Sequence, residues 1–196
     1  MLGPVLVLYY SRNGATRNMA NKIAQGIETQ GLRAMLRTVP EVSSGLKPDK
    51  ASVPEAGDPY VSHQDLVDCS GLALGSPTRF GNMAAALKYF IDSTSSQWLS
   101  GALADKPATV FTSTGSLHGG QESTLLSMML PLLHHGMLIS GLPYTIPQLH
   151  STTSGGSPYG ATHHAQGKHE SKLTDDERIL CLAQGQRLAL LAQKLG

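Results

Sequence analysis

The sequence predicts an α/β fold in which helices cover both faces of a parallel β-sheet. Apolar, partly β-branched runs alternate with stretches of helical periodicity along the 196 residues, which is typical of a doubly wound sheet. Turns rich in Gly, Ser and Thr follow the predicted strands. Ligands of such sheets bind outside the carboxyl ends of the strands, so we expect the functional site in these turns.

The first half of the chain predicts three strands and a helix. Residues 5–10 are continuously apolar or aromatic, which indicates a central strand covered on both faces. Further strands are predicted over 33–39 and 71–75. The helix after the first strand has Gly31 as its stop signal, and its apolar residues recur at helical spacing: Ala20, Ile23, Ala24 and Ile27.

The second half predicts two more strands, over 108–112 and 137–139, with helices around them. Gly136 is expected to cap the helix between these strands. Pro131 lies within that helix and should kink it or end it early. Apolar side chains at helical spacing define this helix and the one before it: Met83, Leu87, Phe90 and Ile91 in the earlier helix, and Leu125, Leu126, Met129, Leu130 and Leu133 in the later one.

These elements predict a single domain over 1–196, because single domains usually hold about 100 to 200 residues. The last helix is predicted over 179–195, after a capping-box pattern in 174–177. Two long stretches, 40–65 and 148–172, are rich in Gly, Pro and Ser and are expected to be irregular insertions.

Charge and composition exclude several classes of function. Lys and Arg number 15 against 14 Asp and Glu, so we expect neither a nucleic-acid partner nor an anionic membrane surface. Cys69 and Cys181 lack the paired spacing of a zinc site or a disulfide framework. The start of the sequence has no basic leader, and no apolar run reaches about 18 residues, so we expect a cytoplasmic protein without stable membrane insertion.

The turn between the first strand and the first helix is a candidate phosphate site. Backbone N–H groups at the start of a helix converge on an anion. The turn lacks the endings of nucleoside triphosphate and dinucleotide loops, so a monophosphate fits best. A plain helix N-cap is the alternative interpretation. The turn consists of Ser11, Arg12, Asn13, Gly14, Ala15 and Thr16.

Two later turns are expected at the same edge of the sheet. The segment 76–82 combines a proline, an aromatic ring and the guanidinium of Arg79, and could grip a planar ring. Alternatively, Arg79 is a solvated surface charge. The segment 113–120 holds three glycines, as expected where backbone approaches a ligand closely.

Trp98 and several histidines are further candidates. Trp98, the only tryptophan, could cover a ligand or seal a subunit contact. The pair His134-His135 lies at a predicted helix end, where capping of carbonyl groups is the default role. The pair His163-His164, with His169, lacks a second ligand pair at suitable spacing, so we predict no metal site.

At these turns the sequence resembles the WrbA family of FMN-dependent NAD(P)H:quinone oxidoreductases. The matching segments are VLVLYYS, GSPTRFGNM, STGS followed by HGGQE, HHGM and PYGAT. The resemblance implies a flavodoxin-like five-stranded sheet of order 2-1-3-4-5 and a non-covalently bound FMN. It also implies NADH or NADPH as co-substrate, two-electron reduction of quinones to hydroquinones, and a homotetramer built as a dimer of dimers. We hypothesise a ping-pong reaction.

The resemblance also implies roles for individual residues. The phosphate turn 11–16 would bind the FMN phosphate, and Asn13 in it would contact the nicotinamide. Trp98 and Tyr144 would line the substrate site, and His134 would reach FMN from a neighbouring subunit. The remaining FMN contacts would be Pro77, Thr78, Arg79, Phe80, Gly81, Asn82, Ser113, Thr114, Gly115, Ser116, Gly119 and Gly120.

The chain departs from the family pattern at three places. Arg12-Asn13 stands where related chains often carry an aromatic residue at the second position, Leu117-His118 lengthens the third turn by a residue, and Pro131 breaks a helix pattern that would otherwise continue. Two other functions remain open at this point. A flavodoxin-type electron carrier is one, although such carriers resemble one another in strong acidity and this chain is near neutral. An FMN-regulated interaction protein is the other, suggested by the two long irregular stretches.

Overall fold

The computed structural model describes residues 2–42, 54, 57–166 and 171–196. Half of the predicted irregular stretch 40–65, namely 43–53 and 55–56, therefore lies outside the described residues, as does His169.

A parallel β-sheet runs through the middle of the molecule. Its strands are β1 (Val5–Tyr9), β2 (Ala34–Thr38), β3 (Gly71–Pro77), β4 (Pro107–Thr114), β5 (Leu138–Ile139) and β6 (Thr162–His164). Five of them follow the order β2-β1-β3-β4-β5, which confirms the predicted order, and β6 pairs with β4. Every pairing between these strands is parallel, so their carboxyl ends meet at one edge.

Helices cover both faces of this sheet, as predicted. They are α1 (Ala15–Glu28), α2 (His63–Asp68), α3 (Ala85–Asp92), α4 (Ser95–Leu99), α5 (Gln121–His134), α6 (Gln148–Ser151) and α7 (Asp175–Leu195). None of the described helices has both the length and the apolar character that a membrane span requires.

The side chains of β1 alternate between two buried clusters. Val5 and Val7 belong to a cluster that includes residues of α1 and α7, whereas Leu6 and Leu8 belong to a cluster with residues of α3 and α5. All four side chains are completely buried. Burial of such a side chain contributes about 1.5–3 kcal/mol, which explains why this strand carries a continuous apolar run rather than an alternating one.

The helices α1 and α7 pack with their backbones almost in contact. A Cβ atom on Gly26 would lie 2.2 Å from the carbonyl oxygen of Leu182, and one on Gly185 would lie 2.0 Å from that of Ile23. Any larger residue would therefore force the helices apart. This contact fixes α1, and with it the turn that precedes α1 at the edge of the sheet.

Strands β3 and β4 extend further than the sequence predicts. Pairing continues as far as Pro77 opposite Ser113, so the segments 76–77 and 113–114 are strand ends rather than turn residues. The consequence is a more rigid site, because these residues are held by the sheet.

The stretch 148–172 is not uniformly irregular, because it contains α6 and β6. Strand β5 has only two residues and pairs with the start of β4, at 107–108. The carboxyl end of β4 would thus lack a partner on this side. Residues 162–164 supply one by pairing with 112–114.

Pro131 was predicted either to kink helix α5 or to end it early, and the second alternative is wrong. The helix continues to His134, and the N–H of His135 still donates to the carbonyl of Pro131 at 3.1 Å. An internal proline costs roughly 3 kcal/mol, which burial of the inner face of the helix offsets. The apolar residues buried on that face are Leu125, Met128 and Leu132.

Candidate functional site

A cavity of about 350 Å³ opens at the carboxyl ends of β1, β3 and β4, and we refer to it as the strand-end cavity. It brings together residues of all three predicted turns, as expected for a doubly wound sheet. Its lining consists of Ser11, Arg12, Asn13, Ala15, Thr16, Pro77, Thr78, Arg79, Ser113, Thr114, Gly115 and Ala165.

The first wall of the cavity is the start of α1. Gly14 has a positive φ of 89° and no side-chain cap, so the chain turns sharply into the helix with its first N–H groups uncovered. The N–H of Arg17 donates to the hydroxyl of Ser11 at 3.3 Å, whereas the N–H groups of Ala15 and Thr16 belong to the first turn and have no partner within the helix. Together they form a site for an anion.

The second wall is a tight turn after β3. Arg79 and Asn82 exchange backbone hydrogen bonds of 2.8 and 3.1 Å, and Phe80 and Gly81 between them have positive φ values of 54° and 78°. Thr78 joins this turn to β4, because its N–H donates to the carbonyl of Ser113 at 2.9 Å. The Phe80 side chain is fully exposed and does not line the cavity.

The third wall is the end of β4 and the turn after it. The hydroxyl of Thr114 donates to the carbonyl of Ser116 at 2.8 Å and accepts from the amide of Gln121 at 3.2 Å. On its other side, the carbonyl of Thr114 accepts from the N–H of Ala165 at 2.8 Å. Sequence reasoning missed Ala165, because it lies in the stretch that was expected to be irregular.

Some predicted site residues shape the turns but do not line the cavity. Gly14 and Gly120 are the residues before α1 and α5, and both have positive φ. The amide oxygen of Asn82 accepts from the N–H of Met83 at 2.8 Å. The predicted residues outside the lining are Gly14, Phe80, Gly81, Asn82, Ser116, Gly119 and Gly120.

Trp98 and His134 lie together in a second cavity, which we call the tryptophan cleft. It measures about 410 Å³ and is separate from the strand-end cavity of the same chain. Its lining consists of Ile91, Asp92, Thr94, Ser95, Trp98, Pro131, His134 and His135. Tyr144 lies in neither cavity; its ring packs against that of His150 with centroids 5.2 Å apart.

His135 is partly withdrawn from solvent in this cleft. Its Nε2 atom is 2.9 Å from the hydroxyl of Thr94, while its Nδ1 atom is buried without a partner among the described residues. Burial lowers the pKa of His135, and the neighbouring His134 lowers it further. The imidazole therefore favours its neutral form.

His163 differs most from its predicted surroundings. It is 1 % exposed, and its Nδ1 atom lies 2.8 Å from the Oε2 atom of the completely buried Glu177. The capping-box pattern identified Glu177 as a helix-start residue, but nothing in the sequence paired it with His163. Among the described residues, no three His, Cys, Asp or Glu side chains gather as a metal site would require.

The strand-end cavity fits a phosphorylated ligand that carries a flat ring. The uncovered N–H groups of α1 and the hydroxyls of Ser11 and Thr16 suit a phosphate, while the segments 77–79 and 113–115 line the rest of the cavity. Arg12 and Arg79 add positive charge at the cavity, and a bound anion would be stabilised by both.

Comparison with known proteins gives the family. The model of the NADPH-dependent FMN reductase family matches residues 4–148. The chain belongs to this family. Two curated members, each named NAD(P)H dehydrogenase (quinone), are those of Solidesulfovibrio magneticus, 40 % identical, and Gluconacetobacter diazotrophicus, 41 % identical. In both cases the match covers 97 % of this chain and 98 % of the relative. These matches confirm the resemblance to WrbA-type FMN reductases found in the sequence.

Solved structures confirm the fold. A WrbA-like flavodoxin from Agrobacterium tumefaciens superposes with a TM-score of 0.70 at 22 % identity, covering 99 % of each chain. The flavodoxin of Megasphaera elsdenii gives a TM-score of 0.59 at 15 % identity, covering 95 % of this chain and 98 % of the other. The flavodoxin-like architecture predicted from the sequence is therefore correct.

Proposed function

We propose that the chain is an FMN-dependent NAD(P)H:quinone oxidoreductase whose non-covalent FMN occupies the strand-end cavity. One observation carries the proposal: three separate turns converge on one cavity of about 350 Å³, which is lined by the uncapped start of α1. The 40 % identical relatives named NAD(P)H dehydrogenase (quinone) support the reaction.

Different residues of the cavity would contact different parts of FMN. The N–H groups of Ala15 and Thr16, with the Ser11 hydroxyl, would hold the phosphate. The segments 77–79 and 113–115 would enclose the isoalloxazine and the ribityl chain. When bound there, FMN would supply the redox chemistry for transfer of a hydride from NADH or NADPH to a quinone, which takes up a proton to give the hydroquinone.

The chain's own residues then have to position the ligands rather than react with them. Arg79 lies at the cavity with its Nη1 atom donating to the carbonyl of Thr78 at 2.7 Å, which directs the guanidinium along the second wall. A cation in that place favours the anionic reduced state of the ring system. No side chain of the cavity needs to act as a nucleophile.

We further propose a ping-pong order, in which NAD(P)H and the quinone use the same cavity in turn. The sequence has no separate dinucleotide-binding fingerprint, which favours one shared site. Initial rates of the isolated protein at several fixed quinone concentrations should give parallel double-reciprocal lines. Converging lines would contradict the shared site, and a complete lack of turnover would favour an electron carrier.

A homotetramer, arranged as a dimer of dimers, is the assembly we propose. Several large apolar side chains are exposed on α5 and beside the tryptophan cleft, and such patches mark contact surfaces. In the assembly, Trp98, His134 and Tyr144 would face a neighbour's strand-end cavity. Those on α5 are Leu126, Leu130 and Leu133, those on α4 are Trp98 and Leu99, and Tyr89 on α3 and Phe80 in the turn after β3 are also exposed.

The assembly has a direct test. Leu130 is 60 % exposed, so replacing it with Lys should leave the fold intact but break the association, as measured by sedimentation velocity. Leu195→Lys, at the exposed end of α7, is the matched control. Equal sedimentation of both variants and the wild type would place the interface elsewhere.

We also propose a cytoplasmic location. Cys69 and Cys181 are free and buried, and burial raises the pKa of both thiols, as expected for inert structural cysteines in a reducing compartment. Fractionation of cells that produce the protein would test this.

A further inference from the structure

The carboxylate of Glu177 is the most heavily hydrogen-bonded side chain at the start of α7. Its Oε2 atom accepts from His163 Nδ1 at 2.8 Å and from the N–H of Thr174 at 2.9 Å. Its Oε1 atom accepts from the Ser154 hydroxyl at 2.7 Å and from the N–H groups of Gly155 and His164 at 3.0 and 3.1 Å. A buried carboxylate with five donors is held in one orientation.

This carboxylate anchors β6 from the side that has no strand. Strand β6 has only three residues and pairs only with β4 among the described strands, and such a short pairing is marginal by itself. Glu177 grips two consecutive residues of β6, through the side chain of His163 and the backbone of His164. The start of α7 therefore supplies hydrogen bonds to β6 on the side where a second neighbouring strand would otherwise supply them.

Strand β6 in turn holds a wall of the strand-end cavity. The residue after β6, Ala165, lines the cavity and donates its N–H to the carbonyl of Thr114 at 2.8 Å. From Thr162, the hydroxyl donates to the Gln121 side chain at 2.5 Å, and Gln121 donates to the Thr114 hydroxyl at 3.2 Å. Both routes from β6 end on Thr114, which lines the cavity.

We propose that His163 and Glu177 are positioning residues for FMN: the pair fixes β6, and β6 fixes the Thr114 and Ala165 wall of the strand-end cavity. Neither residue lines the cavity itself, although His163 pairs in the sheet with Ser113, which does. Loss of the pair leaves the phosphate turn intact and loosens the wall opposite it. The inference rests on the proposed function, since it assigns the cavity to FMN.

The test compares variants of His163 as FMN-loaded protein. His163→Leu removes the donor to Glu177 and fills the buried site with an apolar side chain, whereas His163→Asn places an amide N–H near the position of Nδ1. Dilution of each holoprotein, followed by fluorescence of the released FMN, gives the dissociation constant. We expect a rise of about tenfold or more in His163→Leu, the equivalent of one lost buried hydrogen bond, and recovery to within about threefold of wild type in His163→Asn.

Asp65 provides a matched control for general destabilisation. It is the capping-box carboxylate of α2, accepts from Arg37 at 3.1 Å, and lies outside the strand-end cavity. Asp65→Asn should lower the melting temperature but change the FMN dissociation constant by less than about twofold. Glu177→Gln should weaken FMN binding by about tenfold or more, because an amide cannot accept from all five donors.

Visible circular dichroism at saturating FMN separates positioning from stability. The band shape reports the surroundings of the ring, so we expect a changed spectrum in His163→Leu and wild-type spectra in His163→Asn and Asp65→Asn. Equal FMN affinity and equal spectra in His163→Leu and wild type would overturn the inference alone. A wild-type chain that holds no FMN would overturn the proposed function as well.

Discussion

Acid should destabilise the protein through Glu177, and the size of the effect follows from its surroundings. Burial alone would raise the pKa of this carboxyl, but hydrogen bonds from His163, Ser154 and two backbone N–H groups outweigh burial and lower the pKa from 4.5 to about 2. Unfolding restores the ordinary value. Glu177 therefore stabilises the fold above pH 4.5, and this contribution is lost as the pH falls towards 2.

Linkage converts this pKa difference into free energy. Ionised Glu177 contributes about 3 kcal/mol at neutral pH, of which about 1 kcal/mol remains at pH 3. The gap in unfolding free energy between wild type and Glu177→Gln should thus shrink by about 2 kcal/mol between pH 7 and pH 3. Urea unfolding of both proteins at the two pH values measures the gap.

The variant His163→Asn serves as the control for titration of the imidazole. It retains both the Glu177 carboxylate and a donor to it, so its unfolding free energy should fall with pH much as that of wild type does. A gap between wild type and Glu177→Gln that stays constant from pH 7 to pH 3 would show that ionisation of Glu177 does not stabilise the fold. Loss of the pH effect in His163→Asn would assign it to the histidine instead.

Two further predictions concern the strand ends and the cavity. Gly75→Ala should lower the unfolding free energy by about 1–3 kcal/mol, because the new Cβ would lie 2.1 Å from the buried ring of Phe111. Urea unfolding should show a smaller loss when the same substitution is made in a Phe111→Leu background. An equal loss in both backgrounds would contradict the proposed clash. Arg79→Ala should lower the two-electron midpoint potential of bound FMN by about 20 mV, equivalent to about 1 kcal/mol for an exposed cation, in spectroelectrochemical titration. Arg33→Ala, exposed at the opposite edge of the sheet, should leave the potential unchanged, and an equal shift in both variants would remove the specific role of Arg79.

The main strands and helices could be predicted because their signals are local. The apolar run of β1, the helical spacing in α1 and the capping box of α7 each reside within a few consecutive residues. The carboxyl-end rule for doubly wound sheets then places the three turns together without knowledge of any contact. The phosphate turn and the segments around Arg79 and Thr114 were found in this way.

Features that depend on distant partners could not be predicted. Strand β6 pairs with the end of β4 that the two-residue β5 leaves unpaired. No property of residues 162–164 alone predicts that pairing. The pairing of His163 with Glu177 could not be predicted either, because the histidine and the helix-capping glutamate lie 14 residues apart and no sequence pattern links them. Pro131 shows the reverse case, in which a reliable local signal is overridden by burial of the helix face.

Quinone reduction is tested by an anaerobic titration of the FMN-loaded protein with NADH and then with benzoquinone, followed by flavin absorbance. Bound FMN should bleach with one equivalent of NADH and regain its full absorbance with one equivalent of benzoquinone. Flavin that stays oxidised in NADH, or a reduced flavin that benzoquinone does not reoxidise, would contradict the proposed quinone reductase.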